Sequence, residues 1–87
     1  MKLIYSLNFE EKLEEIIKYI SKDSENNADN FKINVYDKIK DLKQFPKLGS
    51  LTHDNLRKLT IHKNYIIYYK IQQTTIIILT IKHVKKK

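Results

Sequence analysis

Two stretches in the first half of the chain repeat apolar residues every three or four positions, the period of an amphipathic helix. In the first stretch the apolar positions are Phe9, Leu13, Ile16, Ile17 and Ile20. In the second stretch they are Ala28, Phe31, Val35, Ile39, Leu42 and Phe45. The pattern predicts two helices, which the polar residues 23–27 join into an antiparallel hairpin.

Local signals set the expected ends of these helices. Asn8 is suited to cap the first helix, because its side chain can accept from a free backbone N–H and Glu11 follows three residues later. We expect this helix to run to about Lys22. Pro46 cannot continue a helix and disfavours helical backbone at the residue before it, so the second helix should end near Gln44.

Runs rich in β-branched and aromatic residues predict the strands. One short strand covers residues 2–7, and three more cover Leu56–Ile61, Tyr65–Ile71 and Thr74–Ile81. The last strand is apolar on both faces, which predicts a central place in the sheet. Residues 46–55 hold the only Pro and the only Gly of the chain and are expected to form a loop.

The predicted element order is β-α-α-β-β-β, an α+β fold with the helix hairpin packed on one face of a mostly antiparallel sheet. The 87 residues suffice for one core, so residues 1–87 should form a single domain. Apolar residues also face away from the helices, among them Ile66 and Tyr68, with Ile76 and Ile78 or their alternates. These residues either form a docking surface for a partner or complete the core on that side of the sheet.

Charge is distributed unevenly along the chain. Residues 1–44 carry eight Lys and nine Asp or Glu, whereas residues 45–87 carry eight Lys, Arg57 and one acid, Asp54. The net charges of −1 and +8 sum to the net charge of +7. A cationic half favours an anionic partner such as nucleic acid, an acidic protein or a membrane surface. The alternative is a solvated, Lys-rich surface without a partner.

Several protein classes are disfavoured by the composition. The longest apolar run, residues 76–79, is far too short to span a bilayer, and residues 1–7 lack the length and cleavage site of a secretory signal. With no Cys, the chain has neither disulfides nor thiolate zinc ligands. Its three His lack metal-ligand spacing. We therefore expect a cytoplasmic protein with no membrane contact, metal site or cofactor.

Four features, in order along the chain, resemble the RelE/ParE superfamily of bacterial toxins. They are the helix-hairpin pattern ending in Phe45-Pro46-x-x-Gly49, Leu56-Arg57 at a strand start, the strand Tyr65-x-Ile67-x-Tyr69, and the final strand Ile76-x-Ile78-x-x-Ile81-x-His83. The resemblance implies the toxin of a type II toxin–antitoxin system, held in a hetero-oligomer by a cognate antitoxin. The cationic half further predicts that this antitoxin is acidic.

Two activities occur in the superfamily. RelE-like members cleave mRNA on the ribosome, and ParE-like members poison DNA gyrase and cleave nothing. Many active RelE-like toxins carry an aromatic residue in the C-terminal tail, and the tail Val84-Lys85-Lys86-Lys87 has none. The hairpin ending in Phe45-Pro46-x-x-Gly49 is more similar to ParE-like members. The resemblance therefore favours gyrase poisoning, and whether the protein is an enzyme stays open.

The alternative hypothesis is a metal-independent endoribonuclease. An imidazole can exchange protons near neutral pH, so His83, at the alternation of Ile77 and Ile81, is the candidate acid or base. Arg57, the only Arg among 17 cations, can hold a phosphate through two parallel hydrogen bonds. The lysines expected to track a phosphate backbone are Lys58, Lys63, Lys82, Lys85 and Lys86.

These assignments have structural alternatives. His83 is equally suited to end a strand as a hydrogen-bonding cap, and Arg57 to form an ion pair or an antitoxin contact. His53 and His62 lie in or beside predicted loops and are expected to be polar surface. A third hypothesis is a generic basic module that binds nucleic acid.

Overall fold

The computed structural model describes residues 1–62 and 64–84. Its elements are β1 (Lys2–Tyr5), α1 (Leu7–Ser21), α2 (Glu25–Asp41), β2 (Ser50–His53), β3 (Leu56–His62), β4 (Tyr65–Gln72) and β5 (Thr75–His83). The predicted α+β fold is confirmed. The helix hairpin lies on one face of a five-stranded sheet of order β1-β5-β4-β3-β2. Among the strands of the described residues, only β1 and β5 pair in parallel. The last strand lies inside the sheet, between β1 and β4, which confirms its predicted central place.

Serine, not asparagine, caps the first helix. Strand β1 ends at Tyr5, so Ser6 remains extended and its hydroxyl accepts a 3.0 Å hydrogen bond from the N–H of Phe9. The prediction of Asn8 as the cap is therefore wrong, since Asn8 lies inside the first turn. Ser24 caps α2 in the same way through the N–H of Asn27.

Helix α2 ends three residues earlier than predicted, at Asp41. Leu42 still reaches the core, but the chain turns before Phe45. Phe45 continues the apolar spacing, but it lies beyond the helix, as Pro46 predicts, and is 61% exposed. Helical spacing does not fix the direction of a side chain once the backbone has left the helix.

The segment predicted as a loop up to Asn55 contains the edge strand β2. All four residues of β2 are exposed, so no hydrophobic alternation marks them in the sequence. Asp54 and Asn55 form the two-residue turn to β3 and have φ of 46° and 67°. Asp and Asn tolerate this left-handed conformation better than other non-glycine residues do, which allows a tight hairpin here without glycine.

The core lies between the hairpin and the sheet. Its buried members are Phe9, Leu13, Phe31, Val35, Ile39, Leu42, Leu59, Ile61, Ile67, Tyr69, Ile76, Ile78 and Ile81. Full burial of such side chains stabilises the fold by about 1.5–3 kcal/mol each. The sheet therefore has one face packed on the helices and one face without helices, which we call the open face.

The β-bulges in β3 and β5 change which side chains face the helices. Tyr68 pairs with Thr80 whereas Tyr69 pairs with Ile78, so Leu79 is an extra residue in β5. Likewise, Ile61 is an extra residue in β3, between the pairs that Thr60 and His62 make with β4. A bulge shifts the residues after it by one position, which reverses the faces expected from strict alternation.

Candidate functional site

The open face combines an apolar centre with positive charge. Its half-buried apolar residues include Ile66, Tyr68 and Ile77. Its lysines are Lys2, Lys58, Lys70 and Lys82. Lys58 lies directly opposite Tyr68, Lys70 opposite Ile77 and Lys82 opposite Ile66 on the neighbouring strand. The expectation that Ile66 and Tyr68 face away from the helices holds, whereas Ile76 and Ile78 belong to the core.

The strands carry positive charge alone. Lys2, Arg57, Lys58, Lys70 and Lys82 are their charged residues other than histidine, and strands β1–β5 hold no Asp or Glu. The acids lie on the two helices, on the link between them and, as Asp54, in the turn after β2. The uneven charge of the sequence thus becomes a segregation between the sheet and the remainder of the described chain.

Arg57 lies on the helix side of β3, at the edge of the core. Its Nη1 donates a 2.8 Å hydrogen bond to the carbonyl of Gly49. Its Nε is buried and has no hydrogen-bond partner within residues 1–62 and 64–84. The guanidinium that was predicted to bind a phosphate therefore contacts a backbone carbonyl in this structure.

Tyr69 of β4 contacts the same loop from within the core. Its hydroxyl accepts a 2.8 Å hydrogen bond from the N–H of Gly49 and donates a 2.8 Å bond to the carbonyl of Pro46. Burial raises the pKa of Tyr69, although the Gly49 N–H and Arg57 oppose the shift. The hydroxyl of Tyr69 thus stays protonated and can donate its hydrogen bond to the carbonyl of Pro46. Together with Arg57 it fixes both ends of residues 46–49, which we call the clamped loop.

A cleft of about 370 Å³ opens between the first half of α2 and the ends of β3, β4 and β5. Its polar lining includes Asn27, Asn30, Asn34, His62, Asn64 and His83. At its base the ring of Tyr65 meets those of Phe31 and His83, with centroid distances of 4.8 and 4.9 Å. Burial raises the pKa of Tyr65. The cleft is thus lined mainly by side chains that can form hydrogen bonds.

Both histidines of the cleft are placed by the bulges. His62 and His83 pair with Tyr65 from opposite sides. Strict alternation puts His83 on the face of Ile77, which is wrong because Leu79 is an extra residue in β5. His62, expected beside a loop, ends β3 and meets Phe31 at 6.2 Å between ring centroids. His62 is exposed, in keeping with the polar surface expected of it, and the bulge at Ile61 that turns it toward the cleft has no signal in the sequence pattern.

The structure does not bring Arg57 and His83 together. Arg57 lies opposite Tyr69, and His83 lies opposite Tyr65 on the other side of β4. Four residues of strand separate these positions by about 13 Å along β4, and two strand spacings of about 4.8 Å separate them across the sheet.

The predicted phosphate-binding lysines are also divided. Lys58 and Lys82 are exposed on the open face, where the Nζ of Lys82 lies 6.0 Å from the ring centre of Tyr68. Such a distance allows a weak cation–π attraction. Lys63, Lys85 and Lys86 lie outside the described residues.

Two further features of the described residues bear on the class of protein. Across residues 1–62 and 64–84, His, Asp and Glu side chains do not gather in groups of three or more that could hold a metal ion. Neither α1 nor α2 has both the length and the apolar composition needed to cross a bilayer.

Comparison with known proteins gives a family for the chain. Residues 3–87 match the family model described as ParE toxin of type II toxin–antitoxin system, parDE. A chain of the chromosomal ParDE system from P. aeruginosa shares the fold, with a TM-score of 0.84 at 20% identity over 98% of this chain and 97% of that chain. No curated protein matches. Because the family model spans nearly the whole sequence, the chain belongs to the ParE toxin family of type II toxin–antitoxin systems.

Proposed function

We propose that this ParE toxin arrests growth by binding and poisoning DNA gyrase, without cleaving RNA. The observation that carries the proposal is the separation of Arg57 from His83. Cleavage of a phosphodiester needs a proton-transferring group and a cation at the same phosphate. The two candidates lie about 13 Å apart along the strand direction and two strands apart across the sheet. Arg57 also donates a hydrogen bond to the carbonyl of Gly49. A toxin that acts by binding needs no such convergence.

The open face supports an acidic, amphipathic antitoxin segment as the neutralising partner. Apolar side chains of that segment would cover Ile66, Tyr68 and Ile77, and its carboxylates would meet the exposed Lys58 and Lys82 beside them. Burial of apolar area would hold the complex, and opposite charge would speed its formation.

Purified components test the proposal directly. The toxin is added to gyrase holoenzyme and relaxed plasmid, and supercoiling and trapped cleaved DNA are measured. In parallel, the toxin is added to translating ribosomes, and primer extension maps any cuts in the mRNA. We expect lost supercoiling and intact mRNA. Cuts at ribosomal A-site codons together with unaffected gyrase would overturn the proposal.

Ribosome-dependent mRNA cleavage is the second candidate, because His62 and His83 line one cleft. Two imidazoles can supply the base and the acid that such cleavage needs. If this chemistry operates, His83→Ala and His62→Ala each abolish toxicity but retain antitoxin binding. His53→Ala, on the exposed edge strand, is the matched control. If gyrase poisoning operates, all three variants stay toxic.

A further inference from the structure

The clamped loop and the residue before it present large apolar side chains to solvent. Phe45, which immediately precedes the loop, is 61% exposed, and Leu48 within it is 47% exposed. The N–H of Leu48 donates a 3.0 Å bond to the carbonyl of Phe45, so the two residues belong to one turn. We call these two side chains the apolar knob. Neither is among the buried residues of the core.

Hydrogen bonds from the core hold the backbone next to the knob. Tyr69 and Arg57 make three hydrogen bonds to the backbone of Pro46 and Gly49. Gly49 is packed so closely that a Cβ would lie 2.6 Å from the carbonyl oxygen of Lys58. A preformed loop loses little conformational entropy on binding, and a rigid, exposed aromatic residue is typical of an anchor that fills a pocket on a partner.

Charge around the knob indicates what kind of pocket fits it. Lys43 and Lys47 are exposed on either side of Phe45, and Asp41 is the nearest acid in sequence. A complementary partner therefore has an apolar pocket bordered by carboxylates.

The knob is also separate from the open face. Tyr69, which holds the loop, faces the helix side, whereas its neighbour Tyr68 faces the open side. A segment bound to the open face therefore leaves the helix-side contacts of the clamped loop in place.

We propose that Phe45 and Leu48 anchor this toxin in an apolar, carboxylate-bordered pocket of its protein target. The choice of gyrase as that target rests on the function proposed above. The antitoxin binds the open face instead, so target binding and neutralisation use different surfaces of the toxin.

The test compares Phe45→Ala/Leu48→Ala with Ile33→Ala, which truncates a side chain of similar exposure (56%) on α2. Inhibition of gyrase supercoiling is titrated for each variant, and affinity for the antitoxin encoded beside the toxin gene is measured by calorimetry. The double variant should need at least about tenfold more protein for half-inhibition. Its antitoxin affinity, and both values for Ile33→Ala, should stay within roughly threefold of wild type.

The possible outcomes separate the two proposals. If the double variant inhibits gyrase as well as wild type does, the knob proposal is overturned and the gyrase proposal stands. The same holds if the double variant loses antitoxin affinity to the same extent as it loses inhibition. If wild-type toxin leaves gyrase unaffected, the gyrase proposal fails. Growth arrest on induced expression then tests whether the knob is needed for binding to another target. Arrest by Ile33→Ala but not by the double variant supports the knob, and arrest by both overturns it. Circular dichroism checks that each variant is folded.

Discussion

The hydroxyl of Ser6 donates a 2.6 Å hydrogen bond to the carbonyl of Leu79, the extra residue of the bulge in β5. The same hydroxyl accepts from the N–H of Phe9 and so caps α1. One side chain thus joins the start of the first helix to the bulge that directs His83 toward the cleft.

Replacement of Ser6 by Ala should lower the free energy of unfolding by about 1–3 kcal/mol, because it removes a helix cap and leaves a part-buried carbonyl without its partner. Ser21→Ala is the control, since Ser21 is joined only to the carbonyl of Lys18 on an exposed surface. It should cost less than about 0.5 kcal/mol. Urea unfolding measures both, and equal losses would contradict the double role of Ser6.

Periodicity recovered most of the fold because burial itself is periodic. The apolar spacing from Phe9 to Ile20 and from Ala28 to Leu42 predicts the two helices, and the β-branched runs of the last three strands predict the sheet on which they pack. Strand β2 was missed because its side chains are all exposed. The pattern favours Asn8 as the cap because it does not fix the residue at which β1 ends.

The site was less predictable than the fold, because it depends on local breaks in the pattern. A single extra residue at Ile61 and another at Leu79 turn His62 and His83 toward Tyr65. Exposure of Phe45 depends on a helix that ends before its apolar stripe does. Each of these features is decided by tertiary packing, for which alternation and helical spacing give no signal.

Gly49 should tolerate no side chain. The reason is lack of space, because its φ is not positive. A Cβ there would lie 2.6 Å from the carbonyl of Lys58 and within 2.8 Å of the ring and hydroxyl of Tyr69. Gly49→Ala is therefore expected to cost about 1–3 kcal/mol through overpacking. Thermal and urea unfolding give the value, and Ser50→Ala on the exposed neighbour is the control. If Gly49→Ala lowered the free energy of unfolding no more than Ser50→Ala does, the loop would be able to shift and make room for the Cβ.

Tyr69→Phe should also destabilise the protein, by about 1–3 kcal/mol, because it deprives the N–H of Gly49 and the carbonyl of Pro46 of their partner. Tyr68→Phe, on the open face of the same strand, should have little effect. Hydrogen exchange gives a local readout, since the Gly49 amide should exchange faster in the first variant alone. Unchanged protection of that amide would argue against the clamp.

Stability should fall as the pH rises above 10. Burial is the main cause that raises the pKa of Tyr5, Tyr36, Tyr65 and Tyr69 above the ordinary value of 10.0. The folded state therefore holds these phenolic protons more tightly than the unfolded chain does. Their contribution is complete below pH 10 and is lost as the pH rises through the folded-state pKa values. Urea unfolding at pH 9 and 11 should show a smaller loss for Tyr69→Phe than for wild type. An equal loss would contradict the contribution of Tyr69.

Removal of positive charge from the open face should slow capture by the antitoxin. Lys58→Gln/Lys82→Gln is compared with Lys12→Gln/Lys18→Gln, which removes the same charge from exposed positions of α1. Stopped-flow association at low salt should be several-fold slower for the open-face variant, with dissociation nearly unchanged, because exposed charge acts mainly on the encounter. At about 1 M salt, where the Debye length falls to about 3 Å, the difference should shrink. Equal slowing by both double variants would indicate that overall charge, and not the placement of lysines on the open face, guides the antitoxin.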